Sequence, residues 1–124
     1  AILGKGLAAF ERSDPARGAM VAPIFVTIDP ARDTPAVLKP FVAAFHPRLT
    51  GLTGTPAEIA AVARAYGVYA RRMPGSSDDA YLMDHSAMVY LFGPDGRPIA
   101  FLPHQGLDAA AVSSLLAAHV GRPQ

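Results

Sequence analysis

The sequence predicts an α/β protein, a three-layer sandwich of helices and sheet. Segments with helical and strand-like patterns alternate along the 124 residues in the order α, β, α, β, α, β, β, β, α. The early βαβ unit predicts parallel pairing, and the later hairpin followed by a helix predicts an antiparallel sheet edge. A chain of this length has room for one hydrophobic core, so a single domain over residues 1–124 is expected.

The first two elements are a helix and a buried strand. "ILGKGLAAFER" places Ile2, Leu3, Leu7 and Phe10 at helical spacing, although its glycines weaken the pattern. The run Val21–Ile28 is almost wholly apolar and β-branched, which is typical of a strand covered on both faces. This strand is therefore predicted at the centre of the sheet.

Two further helices carry start signals. In "DTPAVLKPFVAAF", Thr34 is the predicted N-cap, and a short strand at Leu49–Leu52 follows the helix. "TPAEIAAVARAYG" has the clearest helical pattern in the chain. Thr55 and Glu58 match a capping box, and Gly67 is placed to end the helix. Its predicted buried face consists of Ile59, Val62 and Tyr66.

The second half contains a strand, a hairpin and a closing helix. "VYARRM" is a candidate strand, "SAMVYLF" and "RPIAFL" flank the turn "GPDG", and "LDAAAVSSLLAAHV" has an apolar helical face. This order is the thioredoxin-like pattern without its beginning, since that fold needs at least one more strand before the first helix. The predicted sheet is therefore incomplete, and its exposed edge favours association between copies of the chain.

Composition excludes several classes of function. The net charge is +1 with acidic and basic residues interspersed, which argues against a nucleic-acid partner. No apolar run reaches the roughly 18 to 20 residues that span a bilayer. Cysteine is absent, so these residues hold no disulfide, no thiolate nucleophile and no cysteine-based metal site.

Three stretches resemble the Sco/SenC family: "IFVTIDPARDTP", "FHPRLTGLTGTPAEIAAVARAYGVY" and "YLMDHSAMVYLFGPDGR". They occur in the family's order, and the resemblance runs from about residue 20 almost to the C-terminus. Members of this family are thioredoxin-like copper chaperones that help to assemble the CuA site of cytochrome c oxidase. The resemblance therefore implies a truncated thioredoxin-like fold and copper as the cofactor.

The resemblance also implies a metal site. His85 matches the family's copper-binding histidine, and Asp84 matches the acidic residue before it, as an outer-shell partner of the metal. The two cysteines of the family's CxxxC motif match nothing here and are expected a few residues before Ala1. Thiolates favour Cu(I), and one imidazole alone makes an incomplete site. The 124 residues alone are therefore expected to bind copper weakly or not at all.

The implied function is delivery of copper or reducing equivalents to cytochrome c oxidase subunit II or another copper protein. A cysteine-containing parent would also be equipped for thiol–disulfide exchange, whereas this chain lacks a thiol. The resemblance implies a bacterial periplasmic location, with a membrane anchor outside this sequence. The alternative is a cysteine-free thioredoxin-like interaction domain without metal or redox activity.

Other polar residues have structural interpretations. His46 lies just past a helix end, where a histidine interacts favourably with the helix dipole. Asp29, Arg32 and Asp33 follow the predicted central strand, at the sheet edge where open α/β folds place their sites. Asp33 and Thr34 are interpreted mainly as turn and cap residues.

Overall fold

A computed structural model describes residues 2–67, 70–72, 83–85, 88–103 and 105–122, with backbone only for 70–72 and 83–85. The helices are α1 (Ile2–Ser13), α2 (Pro15–Gly18), α3 (Pro35–Ala43), α4 (Pro56–Ala65) and α5 (Ala109–His119). The strands are β1 (Ile24–Val26), β2 (Thr50–Leu52), β3 (Ala70–Arg72), β4 (Met83–His85), β5 (Val89–Phe92) and β6 (Pro98–Leu102).

The hydrophobic core lies between the first and last helices. Leu7 and Phe10 of α1 pack with Val112 and Leu116 of α5, and these four side chains are at most 5% exposed. The helices approach closely because α1 presents a glycine here. A Cβ on Gly6 would lie 2.5 Å from the Val112 Cβ. The apolar spacing predicted for both segments is therefore the spacing that builds the core.

The β5–β6 hairpin adds a layer to this core. Val89, Leu91 and Leu102 are partly buried against the α1–α5 pair. The predicted turn is confirmed: the Gly93 N–H donates to the Arg97 carbonyl at 2.8 Å, and Gly96 has a φ of +81°. Glycine adopts this left-handed conformation without steric cost, so the tight connection depends on it.

The parallel pair β1–β2 is covered on one face only. Ile24 pairs with Thr50 and Val26 with Leu52, and α3 packs against the opposite face at Gly51. The prediction of a strand at Val21–Ile28 buried on both faces was wrong in length and in burial. Ile24 and Val26, on the face away from α3, are 53% and 41% exposed, so among the described residues that face is not covered.

Two elements were not predicted. The segment predicted as a turn after α1 contains the short helix α2, because Asp14 accepts a hydrogen bond from the Arg17 N–H and Pro15 suits the first helical position. The segment before the hairpin contains β4, which pairs antiparallel with β3. The described strands thus form three separate two-stranded sheets.

Helix α4 begins as predicted. The Thr55 hydroxyl accepts from the Glu58 N–H at 3.1 Å, and the Glu58 carboxylate accepts from the Thr55 N–H at 2.9 Å. The bond from the Thr55 N–H, followed by an interaction with the Thr55 side chain, holds the pKa of the Glu58 carboxyl below its ordinary value, since hydrogen bonds to the carboxylate favour its ionised form. Ile59 is buried as predicted. Val62 and Tyr66 are exposed, however, so their predicted burial was wrong.

The helices in the described ranges include none that is long and apolar enough to cross a membrane.

Candidate functional site

The first candidate region is a polar network where β1 ends. The Thr27 hydroxyl donates to an Asp33 carboxylate oxygen at 2.5 Å and accepts from the Asp29 N–H at 2.9 Å. Arg32 donates through Nε to the Asp29 carboxylate at 2.5 Å. The N–H groups of Arg32 and Asp33 both donate to the Asp29 carbonyl. The predicted carboxyl-edge residues therefore come together.

This network positions a loop. Thr27 and Asp29 are buried, so their polar atoms need these internal partners to offset the loss of hydration. Asp33 is more than the turn residue predicted, because its carboxylate accepts from Thr27 across the loop. Thr34 occupies the N-cap position of α3, but its side chain makes no capping hydrogen bond. Network and helix start together hold the β1–α3 connection in one conformation.

Sequence reasoning missed the threonines of this edge. Thr27 is at the centre of the network, and the Thr53 hydroxyl, just past the end of β2, is buried without a partner among the described residues. The only local signal is that both follow strands of the βαβ unit. Parallel strands end at the same edge of a sheet, so residues just beyond them meet.

The second candidate region contains the predicted metal ligand. The backbone of β4 pairs with β3 so that Asp84 lies across from Arg71 and His85 lies across from Ala70. His85 is therefore the last residue of β4. The role of His85 as a copper ligand, and of Asp84 beside it, stays a prediction.

The residues of this chain do not supply a complete set of copper ligands. The described residues contain no cluster of three or more His, Cys, Asp or Glu side chains. Cysteine is absent from the sequence. One imidazole lacks the soft sulfur partners that Cu(I) prefers. The residues present therefore do not by themselves fit a bound copper ion.

A third polar cluster is structural. His46 is 5% exposed, its Nε2 lies 2.7 Å from a Glu11 carboxylate oxygen, and its Nδ1 accepts from the Arg48 N–H at 3.0 Å. Arg48 also donates to the second Glu11 oxygen at 2.7 Å. These bonds agree with the structural role predicted for His46. His104, which carried no predicted role, lies outside the described residues.

The family model for SCO1/SenC matches residues 5–120. The chain belongs to the SCO1/SenC family. This match covers all three motif stretches in full, including Asp84 and His85. The resemblance derived from the motifs is therefore confirmed.

Relatives and solved structures agree with this assignment. The chain is 43% identical over 100 residues to the mouse mitochondrial SCO1 homologue, spanning 81% of this chain and 35% of the relative. It is 50% identical over 76 residues to the bovine mitochondrial SCO2 homologue, spanning 61% of this chain and 29% of that protein. The chain thus covers about a third of the length of these relatives.

Structural similarity confirms the predicted fold class. The copper-bound structure of Arabidopsis thaliana ScoI matches with a TM-score of 0.79 and 34% identity, over 93% of this chain and 69% of that one. The α/β, thioredoxin-like prediction is therefore correct.

The location implied by the resemblance was wrong. A bacterial periplasmic protein was expected, whereas the mouse and bovine relatives are mitochondrial proteins. The motifs therefore identify the family but not the compartment.

Proposed function

We propose that this SCO1/SenC chain forms the histidine-bearing part of a copper-handling domain. His85 supplies an imidazole nitrogen to copper, and two cysteine thiolates from outside the 124 residues supply the soft donors. Copper is the cargo of this domain. The proposal is supported chiefly by the family match over residues 5–120, which includes the Asp84–His85 pair.

The chemistry of the ligands supports a site with one imidazole nitrogen from His85 and two thiolate sulfurs. Thiolates bind Cu(I) strongly, and imidazole binds either copper oxidation state, so a two-sulfur, one-nitrogen set holds the ion through a redox change. Arabidopsis ScoI, similar to this chain over 93% of its length, has copper bound. Asp84, next to His85, is the candidate to orient the imidazole ring, as carboxylates do for metal-bound histidines.

The loaded domain passes copper, or electrons from its dithiol, to the copper centre of cytochrome c oxidase. In the same domain, the hydrogen bonds among Thr27, Asp29 and Asp33 fix the loop that follows β1.

The first test uses the 124-residue chain itself, titrated with Cu(I) against a competing chelator. Because the chain has no thiol, we expect no stoichiometric complex of submicromolar affinity. Intact mass and a thiol count establish beforehand which polypeptide is in the sample. A tight stoichiometric complex would show that residues 1–124 hold a donor set of their own.

The second test uses a longer form of the protein that contains two cysteines. His85→Ala should weaken Cu(I) or Cu(II) binding by at least about 10-fold, since even residues that only orient a ligand have effects of that size. His119→Ala, in the last turn of α5, is the matched control and should bind like the parent. Equal affinities for all three proteins would exclude His85 as a ligand.

A further inference from the structure

Two tyrosines connect the elements on either side of the segment that contains His85. Tyr66 is the C-cap residue of α4, Tyr90 lies in β5, and their ring centroids are 5.2 Å apart. The Tyr90 hydroxyl donates to the Tyr66 backbone carbonyl. The Met88 sulfur lies 3.3 Å from the same hydroxyl, but a thioether is a weak acceptor, so the proton is donated to the carbonyl.

This contact holds an end of α4 that has few other attachments. Of the ten residues of α4, only Ile59 is buried. The Tyr66 carbonyl lies at the C-terminus of the helix, where carbonyl groups lack partners within the helix itself. The hydrogen bond from Tyr90 satisfies this carbonyl and fixes the end of α4 against the β5–β6 hairpin.

The β3–β4 pair lies between the two tyrosines in sequence. Its antiparallel register places His85 opposite Ala70, at the end of the ladder that is nearest in sequence to Tyr66 and Tyr90. Each strand has three residues, and among the described residues the pair is a separate two-stranded sheet. A two-stranded ladder of this kind is marginally stable by itself, so its order depends on how the chain is held on either side of it.

We propose that Tyr90 is a positioning residue for His85: its hydrogen bond to the Tyr66 carbonyl holds together the two ends of the segment that bears the histidine. This inference rests on the role of His85 as a copper ligand proposed above. With both ends held, the backbone at His85 samples fewer conformations, and less ordering is needed when the imidazole binds the ion. Loss of the hydrogen bond should therefore loosen the β3–β4 ladder and weaken metal binding.

Amide hydrogen exchange on the copper-free 124-residue chain tests the contact itself. Tyr90→Phe keeps the ring and removes the hydroxyl, so exchange at the β3 and β4 amides should become about 2- to 10-fold faster, the effect expected of one hydrogen bond. Tyr66→Phe is the matched control, because the bond uses the Tyr66 backbone carbonyl, and the Tyr66 hydroxyl makes no hydrogen bond in the described part of the chain. The control should exchange like the parent.

The second measurement uses the longer, cysteine-containing form of the protein. Tyr90→Phe should weaken copper binding about 2- to 10-fold and change the electron paramagnetic resonance spectrum of bound Cu(II), whereas Tyr66→Phe should change neither. The spectrum separates positioning of the ligand from a general loss of stability, which would lower the occupancy of the site without altering the signal of the bound ion.

The outcomes distinguish failure of this inference from failure of the proposed function. Equal exchange in the two tyrosine variants would overturn the positioning role, and so would faster exchange with unchanged copper affinity and spectrum. If His85→Ala binds copper like the parent, the proposed ligand is wrong and the positioning role fails with it, whatever the exchange rates are.

Discussion

The α1–α5 pair and the β1–β2 pair are built from similar apolar residues but are buried to different extents. Leu7 and Phe10 are almost completely enclosed by α5, whereas Ile24 and Val26 remain about half exposed. The difference lies in the number of packing partners: among the described residues, α1 has a helix and a hairpin against it, whereas β1 has a helix against one face. Hydrophobic sequence alone therefore does not determine burial.

This contrast predicts where the stability of the chain resides. Phe10→Ala removes a fully buried ring and should lower the free energy of unfolding by about 3–5 kcal/mol, through lost burial and the cavity that remains. Ile24→Ala removes a half-exposed side chain and should cost no more than about 0.5 kcal/mol. Urea denaturation at low protein concentration measures both. Equal losses would mean that β1 is buried in solution.

The closeness of the two helices gives a prediction of intermediate size. A Cβ on Gly6 would lie 2.5 Å from the Val112 Cβ and 2.8 Å from the Ala109 carbonyl oxygen. Gly6→Ala gains helix propensity, but the overlap forces the helices apart, so we expect a net loss of about 1–3 kcal/mol. Thermal unfolding followed by circular dichroism measures the change.

Gly54→Ala is the matched control for this substitution. Its added Cβ would meet the Glu58 carboxylate oxygen at 3.1 Å, and the end of a side chain can move aside. The control should therefore change stability less than Gly6→Ala does. The reverse order would show that the α1–α5 contact tolerates a methyl group and is looser than the structure indicates.

The same two regions show what could be predicted from sequence. The α1–α5 core was predictable, because the spacing of apolar residues within a helical segment indicates which face of that helix is buried. The burial of β1 was not, because it depends on which elements cover the strand, and an apolar run does not specify them. The hydrogen-bond partners of His46 could not be predicted from the sequence either. Glu11 lies 35 positions away along the chain, and no local pattern links the two residues.

The residues of the candidate site were likewise predictable only in part. Asp29, Arg32 and Asp33 could be placed at one sheet edge from topology, since the strand before them ends there. The hydroxyl of Thr27 that joins them was not evident, because threonine is also an ordinary strand residue. His85 was singled out only by the family resemblance, since a lone histidine carries no pattern of its own.

A smaller effect than that of the core substitutions is predicted at the junction between the two regions. Glu11 of α1 accepts hydrogen bonds from Arg48 and from Nε2 of His46, both in the α3–β2 connection. Because Nδ1 of His46 already accepts from the Arg48 N–H, the ring proton lies on Nε2 and is donated to Glu11. The Arg48 bond, followed by the His46 bond, holds the pKa of Glu11 below its ordinary value of 4.5.

A carboxyl group whose pKa is lowered by folding stabilises the protein above its unfolded pKa and loses that contribution as the pH falls through the folded value. Glu11→Gln should therefore lower the free energy of unfolding at neutral pH by at most about 1 kcal/mol, since the pair with Arg48 is partly exposed to solvent. The difference from the parent should shrink as the pH falls below about 4.5.

Denaturation at a series of pH values measures this difference in the free energy of unfolding. The control is Asp95→Asn in the β5–β6 turn, which removes the same charge away from the junction. A difference that stays constant down to strongly acidic pH would show that Glu11 acts through packing and not through its charge.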